Sequence, residues 1–199
     1  MSLQRLRVIE LDAAVLDRTP PCDSPALQPQ SCESVPLVAH VALVDGRRVG
    51  VAVTEKLFAQ PGQEETAMSS PLLVSRAPCM EEAAVHGRMF AGLQVWEHLV
   101  ARQLKWLDRH GLCDLHIVVP ECRLRDQFSQ LSGIGARLLN DRSAAQRAGL
   151  SGDVRLIRLE IVSGLRHLRA KAAAAGLLQR IARTTRTTPA AMASTQRAG

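Results

Sequence analysis

The sequence predicts an α/β domain: a mixed five-stranded sheet, with elements in the order β-β-β-α-β-α-β-α, flanked by helices. Three observations carry that reading. Two apolar runs flank Asp45-Gly46, the hydrophobic period changes from two to about 3.6 after Pro78, and two further compact apolar runs are each followed by a helical pattern.

The elements follow in order. Arg5–Leu11 (R-L-R-V-I-E-L) reads as a short N-terminal strand. Pro20, Pro21, Pro25, Pro29 and Pro36, with Ser24, Ser31 and Ser34 among them, exclude a helix and mark a linker. Leu37–Val44 is apolar at every second position on both faces, as in a strand covered on both sides. Val49, Val51 and Val53 alternate with Gly50, Ala52 and Thr54, and the Asp-Gly between the two runs predicts a tight hairpin. Leu72–Val74 gives a brief third strand. Met89, Leu93, Trp96, Val100, Leu104 and Leu107 then recur at helical spacing, and Gly111 closes that helix. Leu115–Val119 is the next strand, and Leu124, Phe128 and Leu131 outline a short helix ending at Gly133 and Gly135. Leu138–Leu150 is expected to add a turn or two of helix. Val154–Ile161 alternates as a strand, and Leu165, Leu168, Ala172, Ala175 and Ile181 outline a final amphipathic helix. The expected division is an N-terminal strand and Pro-rich linker over 1–36, the α/β domain over 37–183 and a disordered basic tail over 184–199.

At 199 residues and 46% hydrophobic, the chain supplies one well-buried core. No run approaches the ~18 apolar residues of a membrane span, and the segment around Arg5 and Arg7 lacks a signal peptide's apolar stretch, so the expected location is the cytoplasm, without membrane contact. Cys22, Cys32, Cys79, Cys113 and Cys122 are widely spaced, which suits reduced thiols rather than a zinc site. Charge is unevenly placed. No acidic residue follows Glu160, whereas Arg166, Arg169, Lys171, Arg180, Arg183, Arg186 and Arg197 do, leaving −1 of the chain's net +6 for residues 1–160. Such a cationic end suits phosphate backbones or an acidic partner, and equally a solvated helix face with a frayed end.

The element order resembles the ribonuclease H-like fold over about Leu37 to Arg183. The stretches that carry the resemblance are H-V-A-L-V-D-G-R-R-V-G-V-A-V, M-E-E-A-A-V-H-G-R-M-F-A-G-L and H-I-V-V-P-E-C-R-L. The resemblance implies carboxylates that hold two Mg²⁺ ions for phosphodiester hydrolysis. By position these would be Asp45, Glu82 and Glu121, as metal ligands and catalytic groups, with Asp12 replacing Asp45 if the N-terminal strand were the first of the fold. A fourth carboxylate is expected where this chain has Arg166, His167 and Arg169, so the set is incomplete.

Each carboxylate also has a plainer role. Asp45 before glycine suits a tight turn, and Glu81, Glu82 and Glu121 suit helix starts, where negative charge offsets the macrodipole. The Gly133-Ile134-Gly135 run follows a helical pattern rather than a strand, so it is not a dinucleotide loop. His40, on an apolar strand, reads as a core residue. The leading expectation is a nucleic-acid-associated, catalytically incomplete domain that touches DNA or RNA phosphates through Arg166, Arg169, Lys171, Arg180, Arg183 and Arg186. It requires no cofactor, or Mg²⁺ if active. The alternatives are an adaptor whose Trp96- and Trp106-bearing helix, or tail, docks on an acidic protein, and an active Mg²⁺-dependent nuclease.

Overall fold

The computed structural model describes residues 5–12, 33–58, 72–76, 78–80, 87–139 and 154–186. Strands β1 (Leu6–Asp12), β2 (Glu33–Val44), β3 (Arg47–Phe58) and β4 (Leu72–Arg76) come first. The two-residue strands β5 (Cys79–Met80), β6 (Met89–Phe90) and β7 (Leu93–Gln94) follow, then α1 (Val95–Arg109) and β8 (Asp114–Pro120). A 3₁₀ turn at Glu121–Arg123 leads into α2 (Leu124–Ser132), β9 (Arg137–Leu138), β10 (Val154–Glu160) and α3 (Ile161–Arg186).

The main sheet runs β1-β2-β3-β4-β8-β10-β9, with β5 pairing β3, and β4–β8 is its one parallel pair among the described residues. Mixed α/β architecture is therefore as the sequence predicts, but among the described residues the sheet has eight strands rather than five, with β1 at its edge. The Asp45-Gly46 hairpin forms as expected: φ is +51° and +84° at the two residues, the left-handed pair that a tight hairpin turn requires. Asp45 also accepts the Arg5 N–H on Oδ1 at 3.0 Å, tying the start of β1 to the turn.

The ribonuclease H-like arrangement is overturned by strand order. For Asp45 and Glu121 to converge, β2 must lie beside β8; instead β3 and β4 stand between them. At ~4.8 Å per strand, the two carboxylates are too far apart to share an ion. In addition, β10 returns antiparallel to β8, so the second strand-helix-strand unit is not a parallel crossover.

α1 starts six residues later than the apolar spacing of Met89 implies. Met89 and Leu93 belong to a two-stranded hairpin whose turn holds Ala91 at φ +47° and Gly92 at +84°. From Val95 the helix splits its apolar stripe between two cores. Val95 and Leu99 pack on Ala42, Val44, Val49 and Ala52, while Val100, Leu104 and Leu107 pack on Leu115, Ile117, Ile157 and Leu159 with Leu165 and Leu168 of α3. Gly111, at φ +72°, closes the helix as expected, with Leu112 N–H donating to the Leu107 carbonyl. Val41, Val51, Val118 and Leu156 on the opposite face of the sheet are buried as well, matching the two-sided strand predicted for Leu37–Val44. The predicted Leu138–Leu150 helix lies outside the described residues apart from its first two, of which Leu138 ends β9. The helix α3 continues through Thr184–Arg186, which the sequence assigns to a tail.

α3 runs antiparallel to α1. Leu104 faces Gly164, Glu97 meets Lys171, and a Cβ at Gly92 would stand 2.6 Å from that of Ala175. Gly92→Ala should therefore cost about 3 kcal/mol, from left-handed backbone and forced overlap together. Gly46→Ala, with equal φ but open space, should cost about 1 kcal/mol. Urea denaturation of both variants checks this, and equal losses would contradict the close approach.

Candidate ligand-binding site

Among the described residues β4 and β8 pair over Val74↔His116, Ser75↔Ile117 and Arg76↔Val118. Beyond Arg76 the chain passes Pro78, and β5 pairs with β3 through Gly50↔Met80 and Val51↔Cys79. β8 meanwhile continues through Val119 and Pro120, paired with β10 as far as Pro120↔Val154. Among the described residues the two halves of the sheet thus part company at their carboxyl ends, leaving a wedge between β5 and β8. It lies beside the one parallel pair among the described residues, at the carboxyl ends of its strands, where open α/β sheets bind ligands. Because α1 returns from the carboxyl end of β4 to the amino end of β8, its own amino end also borders this opening.

Polar groups border the wedge on its β8 side. Glu121 accepts from Arg155 Nη2 at 3.1 Å, and Arg155 Nε is buried without a hydrogen-bond partner. The amino end of α1 is differently organised. Gln94 N–H donates to Glu97 Oε2 at 2.8 Å, and Trp96 Nε1–H donates to Gln94 Oε1 at 2.6 Å. Glu97 is 0% exposed, and Lys171 Nζ of α3 donates to its Oε1. A helix start ordinarily attracts anions. Here a buried carboxylate of the same turn accepts the Gln94 N–H and is itself neutralised by Lys171.

A second polar group lies beneath the carboxyl-terminal half of α1. His40, 1% exposed, sits beside Glu10 across β1–β2, with Nε2 3.9 Å from Glu10 Oε2. Arg109 Nη2 donates to that same Glu10 oxygen at 2.8 Å, and Gln103 Nε2 donates to buried Thr54 at 3.1 Å. Burial lowers the His40 pKa from 6.5 to about 4, with Glu10 opposing and Arg102 and Arg109 reinforcing the shift. The expectation of a core histidine therefore holds.

The residues singled out from the sequence do not assemble. Asp45 lies in the hairpin turn and Glu121 on Arg155, while Glu82 lies outside the described residues. No group of three or more His, Cys, Asp or Glu side chains able to hold a metal occurs among the described residues. Within the expected phosphate-contacting set, Lys171 is committed to Glu97 and Arg166 and Arg169 are exposed along the helix; Arg180 is exposed too, and the side chains of Arg183 and Arg186 lie outside the description. The nucleic-acid reading, which stood on the ribonuclease H-like fold, falls with it. The α1 docking reading falls too, since Trp96 is held by Gln94, and Trp106 packs on the core and stacks on His110 with centroids 4.0 Å apart. Cys113 and Cys122 are exposed free thiols, and no described helix is long and apolar enough to cross a membrane. Sequence reasoning missed Glu97 and assigned Lys171 to phosphate contact rather than to this pair, whose members lie 74 residues apart with no local pattern to join them.

No family model and no curated protein sequence matches the chain. Among solved structures, it is similar to a domain from Methanocaldococcus jannaschii (15% identity, TM-score 0.39), covering 62% of this chain and 66% of that one. It is also similar to a GNAT-family acetyltransferase from Streptococcus pneumoniae (11%, TM-score 0.37, 62% and 65%) and to an IAA acetyltransferase from Bacillus cereus (11%, TM-score 0.43, 78% and 99%). The chain thus spans just under two thirds of the first two and nearly all of the third. Two of the three are named acetyltransferases and none is named a nuclease. At TM-scores below 0.5 the likeness is loose, and those proteins' activities do not transfer to this chain.

Two outcomes follow from the buried charges. The folded chain binds the His40 proton more weakly than the unfolded chain, so stability should be full above pH 6.5 and fall as pH drops toward about 4, by roughly 3 kcal/mol. Replacing His40 with Asn should flatten that window relative to the parent in urea titrations from pH 4 to 7. Lys171→Met should cost about 3–5 kcal/mol by stranding the Glu97 charge, and Lys171→Met with Glu97→Gln should recover most of it in the same assay.

Proposed function

We propose that this domain binds an extended, amide-bearing small molecule in the wedge between β5 and β8, in the manner of an acyl-donor arm. One observation carries the reading: among the described residues the last β4–β8 pair is Arg76↔Val118, while β8 runs on to Pro120. A free strand margin of that kind accepts an extended ligand by adding it as a further strand. The margin is only about 7 Å deep. That depth suits the two amides of a pantetheine-type thioester better than a peptide strand, which pairs over a longer edge. Buried Val119 and half-buried Met80 supply apolar walls near it. Glu97 at the amino end of α1 disfavours phosphate there, so recognition rests on the arm rather than on a nucleotide. The residues present support binding; no step of catalysis is assigned to them.

Hydrogen exchange tests this. Saturating acetyl-pantetheine should slow exchange of the 118–119 and 79–80 amides about tenfold and raise Tm, and acetyl-CoA should bind no more than about tenfold tighter. Unchanged exchange at all four positions with both probes would remove the wedge as a ligand site.

A further inference from the structure

His40 is the one buried histidine among the described residues, and it stands one strand in from the edge of the sheet. Its Nδ1 is buried without a hydrogen-bond partner, and its Nε2 lies 3.9 Å from Glu10 Oε2, beyond hydrogen-bond range. The groups that face the ring are set against a second proton. On β1 the Glu10 carboxylate is taken by Arg109 Nη2 at 2.8 Å, and Asp12 lies about 7 Å farther along the same face. From α1 come the cations Arg102 and Arg109 and the uncharged Gln103; from β3 come Ala52, directly across, and Thr54. Burial and the two cations hold the imidazole neutral against the pull of Glu10. Of the elements around His40, β1 is held least. β2 is paired on both sides, and α1 packs on two cores and on α3. Among the described residues β1 has a single ladder, and its two ends are unequal. At its start Asp45 Oδ1 accepts the Arg5 N–H, and the Asp45 N–H donates to the Arg5 carbonyl at 3.2 Å. Its Asp12 end, beside His40, is separated from β2 by residues 13–32, far more chain than the two residues a hairpin needs, so that end can lift without pulling on β2.

We propose that the Asp12 end of β1 is an acid-released strap: protonation of His40 lifts residues 9–12 off β2, lets water reach the imidazolium and bares the β2 edge at Val38–Val41. With the strap down, the added charge is buried between two arginines, and the nearest carboxylate is engaged by one of them. With the strap up, His40 belongs to an edge strand and water approaches the ring from the side. The docked strap binds the proton more weakly than the released one, so docking is full above pH 6.5 and weakens as pH falls toward about 4. The opening is local, because β8 lies three strands away from β2 and its ladders take no part in it.

The test is amide exchange on the full chain at pH 7 and pH 5, with and without low urea, each protection factor corrected for the intrinsic rate. Amides of 9–12 should be less protected than those of 115–119, should lose about twentyfold of their protection between the two pH values, and should respond weakly to urea, the mark of a small opening. His40→Gln should remove most of the acid response. Arg109→Met, at a side chain 63% exposed, keeps the histidine and should cut the response to about fivefold by freeing Glu10 to pair with the imidazolium. Equal protection and equal urea dependence at 9–12 and 115–119 would make the acid effect one of global unfolding and overturn the strap. Loss of protection at 102–109 with 9–12 unchanged would make α1 the element that lifts, and overturns it as well. So does an acid response at 9–12 that is the same in the parent and in both variants.

Discussion

The contact between the amino end of α1 and the middle of α3 governs most of this structure. Glu97 is wholly buried, and an isolated carboxylate in that position would be costly by several kcal/mol. Lys171 neutralises it, and the absence of a side chain at Gly92 lets α3 approach closely enough for the lysine to reach. A buried ion pair contributes less through net stability than through what it forbids. Sliding α3 by one turn along α1 would strand both charges and drive Ala175 or its neighbours away from the gap at Gly92. The pair therefore sets the register of the two helices.

The same arrangement explains why the wedge stays open. Strands that run parallel need a crossover, and α1 is that crossover; its length takes the chain from the carboxyl end of β4 to the amino end of β8. Each side of the wedge has a firm partner of its own. β5 is held by β3, and the end of β8 is held by β10, so neither margin is free to close on the other. α1 spans both halves with separate parts of one apolar stripe, Val95 and Leu99 on the β2–β3 side and Val100, Leu104 and Leu107 on the β8–β10 side. Closing the gap would require repacking both cores at once.

Local chemistry was legible in the sequence, and long-range pairing was not. The Asp45-Gly46 turn, the β2 and β3 runs, the Gly111 helix end and the final helix all follow from residues within a few positions of one another. Strand order does not, because the same succession of strands and helices fits more than one sheet, and an apolar run such as Leu115–Val119 is satisfied beside any apolar neighbour. That degeneracy is why β2 was expected to bring Asp45 toward Glu121 when β3 and β4 in fact intervene. The early start assigned to α1 has a different cause: Met89 and Leu93 stand four residues apart in a hairpin as they would in a helix, and only the left-handed conformations at Ala91 and Gly92 separate the two. The wedge left no trace in the sequence, since it consists of where pairing ceases rather than of particular side chains.

The concentration of positive charge after Glu160 looks in sequence like a phosphate-binding surface, and geometry changes its meaning. Lys171 is spent inside the fold, and Arg166 and Arg169 lie alongside the body of the domain on the first half of α3. The site that would ordinarily hold a small anion, the start of α1, is filled by the protein's own carboxylate. A count of positive charge along the sequence therefore overstates the cationic surface, because one of its members neutralises an acid inside the fold.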